Sequence, residues 1–179
     1  MKRLVPHDPH WAALFEGEAE TLSGRLGPTL VQAHHIGSTA IPLIPAKPVI
    51  DILLEVTSVM AVDRHARDFT AMGYEVRGEY GIRRRRYFSK RAGANYPGFH
   101  VHAYQVGDPE ILRHVAFCRY LQMKPEIAAE YAELKSTLCD ADGVLFANFQ
   151  DEKKPWVDEM AQKALRFLTQ EIGEKTPCS

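Results

Sequence analysis

The chain has 179 residues, 45% of them hydrophobic and 25% charged, with a formal net charge of -1. These values predict one soluble domain over residues 1–179, exclude wholesale disorder, and leave no global field for nucleic acid, so any anion site must be local. No apolar run approaches the roughly 20 residues of a membrane helix, MKRLVPHDPHW lacks the apolar segment of a secretory signal, and Cys118, Cys139 and Cys178, without CxxC spacing, predict free thiols in a reducing cytoplasm.

A first helix is predicted over residues 9–26. Asp8 can cap it, Pro9 suits its first turn, and Trp11, Leu14, Phe15, Leu22 and Leu26 recur at helical spacing. Gly27-Pro28 stops it. Residues 31–36 and Val49–Val56 read as strands rich in β-branched side chains. Between them stand Gly37, Ser38 and Thr39, then Pro42, Pro45 and Pro48. Each proline lacks an N–H and pushes its predecessor towards extended geometry, so the connector is a tight turn and a rigid loop.

A helix over residues 58–72 follows, capped by Thr57 or Ser58 and ended by Gly73. Residues 74–80 and 84–90 predict a hairpin turning around Gly81, residues 92–98 a loop, and residues 99–106 another strand. Asp108-Pro109 opens a helix to about Met123, and Pro125 opens another that ends near Asp142-Gly143. A last helix runs from about Asp151 to Ile172 with Pro155 in its first turn, and the tail EKTPCS is expected to fray. This order is not a regular β-α-β alternation, and neither GxGxxG nor a P-loop is present. It predicts an α+β domain, a mixed β-sheet with a helical C-terminal layer.

Asp51 is the first functional candidate. A carboxylate flanked by Val49, Ile50, Ile52, Leu53 and Leu54 is costly unless it meets a cation, a donor or a cleft. Gly37 and Ser38 end the preceding strand, where backbone N–H groups and a hydroxyl can cradle an anion, as the Gly-Ser turn of nucleotidyltransferase-type domains does for a triphosphate. In such domains an acid on the next strand holds Mg²⁺. A structural acid paired with an arginine is the alternative for Asp51. Glu55 lies roughly 13 Å away along the strand face, too far to share one ion, and the position two along from Asp51 is Leu53.

His100 and His102 alternate onto one strand face about 7 Å apart and can serve one cleft as metal ligands or as acid and base. His34 and His35 point to opposite faces, so at most one joins them. The run Arg83 to Arg86 divides into one face with Arg84 and Arg86 and another with Arg83 and Arg85. One face can be a solvated edge and the other a bidentate phosphate clamp.

With these residues in place, the chain resembles the GrpB family, a group assigned to the nucleotidyltransferase superfamily. HDPHWAALFEGEAETL resembles the family's opening helix, and HIGSTAIPLIPAKPVIDILLEV its most specific signature. RRRYFSK and FHVHAY resemble its arginine and histidine strands, ILRHVAFCRYLQMKPEIAAEYAELKSTL the helical segment after them, and DEKKPWVDEM the final helix, where Lys153 or Lys154 is expected to act. The resemblance implies a mixed sheet flanked by helices and a cleft built on Gly37, Ser38 and Asp51, with His100 and His102 beside the acid. It favours His35 over His34, and it implies Arg86, Lys135 and Lys153 as phosphate contacts. The chain departs from the superfamily pattern at Leu53, where a second acid is expected.

Two functions follow as expectations. In one, the protein transfers a nucleotidyl group from a nucleoside triphosphate to a small acceptor, with Mg²⁺ on Asp51, His100 and His102. In the other, it binds a nucleotide or a coenzyme A precursor without turnover. Relatives fused to dephospho-CoA kinase point to coenzyme A metabolism, and neither nucleic acid nor membrane is an expected partner.

Overall fold

The computed structural model describes residues 3–93 and 96–174. The expected loop at 92–98 falls partly outside the described residues, and the tail expected to fray falls almost wholly outside them. Five strands form one sheet: β1 (Leu30–Ile36), β2 (Val49–Val56), β3 (Glu75–Val76), β4 (Arg86–Lys90) and β5 (Gly98–Gln105), in the order β1-β2-β5-β4-β3. Strand β2 pairs antiparallel with β1 and parallel with β5, and β5–β4 and β4–β3 are antiparallel. The sheet is mixed, as the sequence predicts.

Strand β2 reads as nearly continuous apolar sequence because both of its edges are paired and both of its faces are covered. On one face Ile50, Ile52, Leu54 and Val56 join Val101, Ala103 and Phe88 under Trp11, Leu22 and Leu26 of α1 (His10–Leu26). Two short helices, α2 (Val59–Arg64) and α3 (Ala66–Ala71), complete that layer through Val62 and Phe69, with Phe69 stacked 3.7 Å from Phe88. On the other face Ile36, Leu53 and Tyr104 pack under Ile111 and Cys118 of α4 (Pro109–Met123). Helix α5 (Pro125–Thr137) joins α4 around Leu121, Ala128 and Tyr131, and α6 (Phe149–Glu174) joins it at Ala116, Ala164 and Leu168. Burying each such Leu or Ile contributes about 1.5–3 kcal/mol, so both layers hold the sheet firmly.

Four expectations need correction. The helix expected over 58–72 is two helices, broken at His65, whose ring pairs with Asp68 at 2.9 Å and reaches the Thr29 hydroxyl at 3.4 Å. Ser58 is its cap, accepting from the Met60 N–H. The hairpin strands shrink to β3 and β4, because Gly78, Tyr80, Gly81 and Arg84 all take positive φ between them. Helix α5 stops at Thr137, well before Gly143, where Asp140 folds the chain by accepting from the N–H groups of Asp142 and Val144. Helix α6 begins at Phe149, so Pro155 lies past its first turn.

Candidate functional site

The parallel register of β2 and β5 sets Asp51 beside His100 and Leu53 beside His102, so all four side chains share the face under α4. The Asp51 Oδ1 lies 3.3 Å from His100 Nδ1 and 3.7 Å from His102 Nε2. Burial alone would raise the Asp51 carboxyl, but hydrogen bonds from the two histidines outweigh it and hold the group below the usual carboxylate range. Its other oxygen abuts Gly37, where a Cβ would come within 2.5 Å of Oδ2. Gly37 has φ 71°, ψ -171°, a conformation essentially reserved for glycine, and it leads into a 3₁₀ turn over Ser38–Ala40.

Across from this acid stand three lysines. Lys47 is held in the loop between Pro45 and Pro48, Lys135 comes from α5, and Lys153 from α6. All three line one cavity of about 300 Å³ together with Gly37, Ser38, Asp51, His100, Arg113 and His114. Lys135 is only 2% exposed and donates to the Pro45 carbonyl, with its ammonium 5.1 Å from the Tyr131 ring. Burial first, then the neighbouring Lys153 and Lys47, push its amine down to about 7. Lys153 is lowered in the same direction, chiefly by burial and then by Lys47. The Tyr131 phenol is pushed up to about 12 by burial, against the opposing effect of a hydrogen bond with Ser38. Burial, His102 and Arg113 bring His114 down to about 4. The desolvated Lys135 and Lys153, with Lys47 beside them and one carboxylate in the same lining, make a pocket for a charged ligand with several anionic groups.

The structure brings Asp51, His100, Gly37, Ser38, Lys135 and Lys153 to this cavity, and His102 touches Asp51 from the cavity's edge. Arg86 does not join them, which corrects its expected phosphate role. It sits on the opposite sheet face, where its guanidinium grips both oxygens of Asp63 at 2.6 and 2.8 Å. Its neighbour Arg85 is the arginine turned to the cleft side, 3.4 Å from His102 Nδ1 and almost wholly buried. His35 is likewise on the α1 side, stacked on Phe15 at 4.8 Å, so the preference for it over His34 fails. His34 shares the Asp51 face but is occupied by Glu55 at 2.6 Å. Of the two candidate lysines on α6, Lys153 faces the cavity and Lys154 pairs with Asp158.

Sequence reasoning missed Lys47, Arg113 and His114, and it left open whether the face with Arg83 and Arg85 or the face with Arg84 and Arg86 meets the cleft. A lysine locked between two prolines was a usable signal for the first. The others needed the register.

A resident Mg²⁺ centre does not fit these residues. Magnesium takes hard oxygen donors in an octahedron, and the cleft face offers one carboxylate, already in contact with two imidazoles. Leu53 is fully buried where a second acid would stand, and Glu55 is held by His34. Among the described residues no group of three or more His, Cys, Asp or Glu side chains is placed to hold a metal ion. Among them, too, no helix is long and apolar enough to cross a membrane.

Comparison with known proteins places the chain. A family model described as GrpB protein matches residues 2–163. The UPF0157 protein YqkA of Bacillus subtilis (strain 168) is 40% identical over 164 residues, covering 92% of this chain and 47% of YqkA, so the chain spans about half the length of that relative. The crystal structure of conserved protein GrpB from Enterococcus faecalis superposes with a TM-score of 0.84 at 36% identity, over 92% of this chain and 98% of that one. Cid1 in complex with its short product ApU superposes with a TM-score of 0.53 at 12% identity, over 76% of this chain and 43% of that one, a likeness of fold alone. The architecture is nucleotidyltransferase-like.

Proposed function

The chain belongs to the GrpB family, and on that premise we propose that its cleft binds a nucleoside triphosphate by its phosphates and transfers the nucleotidyl group to a small acceptor. The observation that carries this reading is the convergence of Lys47, Lys135 and Lys153 on the cavity that also holds Asp51 and the Gly37-Ser38 turn. Burying Lys135 and Lys153 beside each other and beside Lys47 costs the empty protein stability through desolvation and repulsion, and a polyanion relieves both. Such a cost is retained where a ligand repeatedly offsets it.

Each part of the cleft has a place in this reading. The lysines take the β- and γ-phosphates and then the departing pyrophosphate, and the Gly37-Ser38 turn lies beside them. Phe117, Tyr131 and Phe149 add aromatic rings to the apolar part of the lining. Any Mg²⁺ would belong to the nucleotide substrate, and Asp51 would be the one carboxylate of the cavity lining to meet it. A cytoplasmic setting, where nucleotides are abundant and the thiols stay reduced, belongs to the same reading.

A second reading, a nucleotide or coenzyme A precursor sensor without turnover, is favoured by one observation, the buried Leu53 in place of a second acid. The test is calorimetry with ATP, GTP, CTP and UTP, each with Mg²⁺, followed by assay of pyrophosphate release with small hydroxyl and amine acceptors. Binding with release supports transfer, and binding without release supports the sensor. Absence of binding at millimolar nucleotide removes both.

A further inference from the structure

We infer that the two cleft histidines have different tasks: His100 is the proton acceptor of the transfer, and His102 is a positioning residue that Arg85 orients with its Nε2 N–H towards Asp51. The inference rests on the nucleotidyl-transfer reading and adds roles that neither the fold nor the family supplies.

A guanidinium has five N–H donors and no acceptor. Arg85 Nη1 lies 3.4 Å from His102 Nδ1, so that nitrogen must present its lone pair. The ring's proton is therefore on Nε2, the nitrogen 3.7 Å from Asp51 Oδ1. Arg85 cannot swing away to release it. Its guanidinium donates to the carbonyls of Tyr80 at 2.8 Å and Glu79 at 3.3 Å, lies 4.8 Å from the Tyr87 ring, and is only 6% exposed. His102 thus accepts from Arg85 at Nδ1 and turns its Nε2 N–H towards Asp51 across 3.7 Å.

His100 is committed on one side only. A carboxylate accepts and never donates, so His100 Nδ1, 3.3 Å from Asp51 Oδ1, carries that ring's proton. Its Nε2 then holds a lone pair. Among the described residues no hydrogen bond reaches that nitrogen, and His100 lines the cavity. An imidazole with a carboxylate behind it and a bare nitrogen ahead is the arrangement by which a histidine takes a proton and keeps the resulting cation stabilised.

An acceptor hydroxyl oxygen attacks the α-phosphorus of the triphosphate, and its proton passes to His100 Nε2. An O–Pα bond forms, the Pα–O–Pβ bond breaks, and pyrophosphate leaves on the lysine wall. The imidazolium faces Asp51, and the proton returns to solvent before the next turnover. Arg85 acts through His102 and is a positioning residue.

Imidazole ¹⁵N NMR of the full chain without nucleotide tests the assignment directly. The wild-type spectrum is expected to show His100 protonated on Nδ1 and bare on Nε2, with His102 the reverse. Arg85→Met is expected to release the His102 tautomer while leaving His100 as it was, and Asp51→Ala to move the His100 proton to Nε2. Should Arg85→Met fail to fold, the wild-type and Asp51→Ala spectra still decide. His100 protonated on Nε2 in the wild type, or both rings in one tautomer, overturns the assignment. Calorimetric nucleotide binding is scored separately. The inferred tautomers in a chain that binds no nucleotide overturn the transfer and the proton-acceptor role together, whereas reversed tautomers in a chain that binds it overturn the assignment of the two histidines alone.

Discussion

Gly37 and Asp51 occupy a single contact: the carboxylate oxygen Oδ2 fills the place, 2.5 Å away, where any other residue at position 37 would put its Cβ. The turn and the acid are thereby one unit. Gly37→Ala meets both this clash and a positive φ of 71°. It is expected to lower stability by about 1–3 kcal/mol, the usual cost of such strained backbone, and to weaken nucleotide binding by displacing Asp51. Urea denaturation and calorimetry measure the two effects. A mutant with wild-type stability and binding would mean that the carboxylate does not rest where this contact puts it.

Arg86→Ala separates the arginine strand from the cleft. The pair with Asp63 lies on the far side of the sheet with Asp63 half in solvent, so its loss is expected to cost only about 0.2–1 kcal/mol, as for exposed pairs. Nucleotide affinity should stay within twofold of wild type. A tenfold loss would return Arg86 to the site.

Leu53→Asp supplies the second acid that the resemblance leads one to expect and this chain lacks. Leu53 is wholly buried against Ile36, Tyr104, Ile111 and Cys118, so an unpaired carboxylate there meets no solvent and leaves a hole. The expected outcome is a loss of at least about 3 kcal/mol with no gain of Mg²⁺ binding. A stable variant with new Mg²⁺-dependent heat would show that this face opens to solvent.

Lys135 gives the pH signature. Its amine is pushed down to about 7 from an ordinary 10.5, so across that window the unfolded chain binds a proton that the folded chain does not. Stability then rises with pH, by at most about 1.4 kcal/mol per pH unit from this group. The cost of the buried cation is full below about pH 7 and is relieved as pH climbs towards the unfolded value. Lys135→Met removes this rise. Melting curves of both proteins from neutral to alkaline pH check it, and parallel curves would contradict the buried, perturbed amine.

Much of this site was legible in the chain. Asp51 stood out as an acid in an apolar strand, Gly37-Ser38 as a turn against rigid prolines, and His100 with His102 as a period-two pair. Those are local patterns, and the parallel pairing of β2 with β5 brings them together. What stayed hidden depends on register and on positive φ. Arg85 and Arg86 look alike in a run of four arginines, but the coil from Gly78 to Arg84 decides which one enters the cleft. The β1–β2 register pairs His34 with Leu53 and His35 with Ile52, so His34, and not the favoured His35, shares the Asp51 face. Lys47 reads as a loop residue until α5 and α6 close over it.

Calorimetric titration of ATP with Mg²⁺ into the wild-type chain at about pH 8, repeated in two buffers of different ionisation enthalpy, tests the triphosphate-binding cleft most directly. A phosphate docked on Lys135 favours the charged amine, so binding is expected with uptake of up to about one proton. In Lys135→Met the affinity should fall about 10- to 100-fold, as expected on losing a charged hydrogen bond, and the uptake should vanish. No heat at millimolar nucleotide, or binding of equal strength and equal proton uptake in the mutant, would contradict the lysine-lined cleft as the triphosphate site.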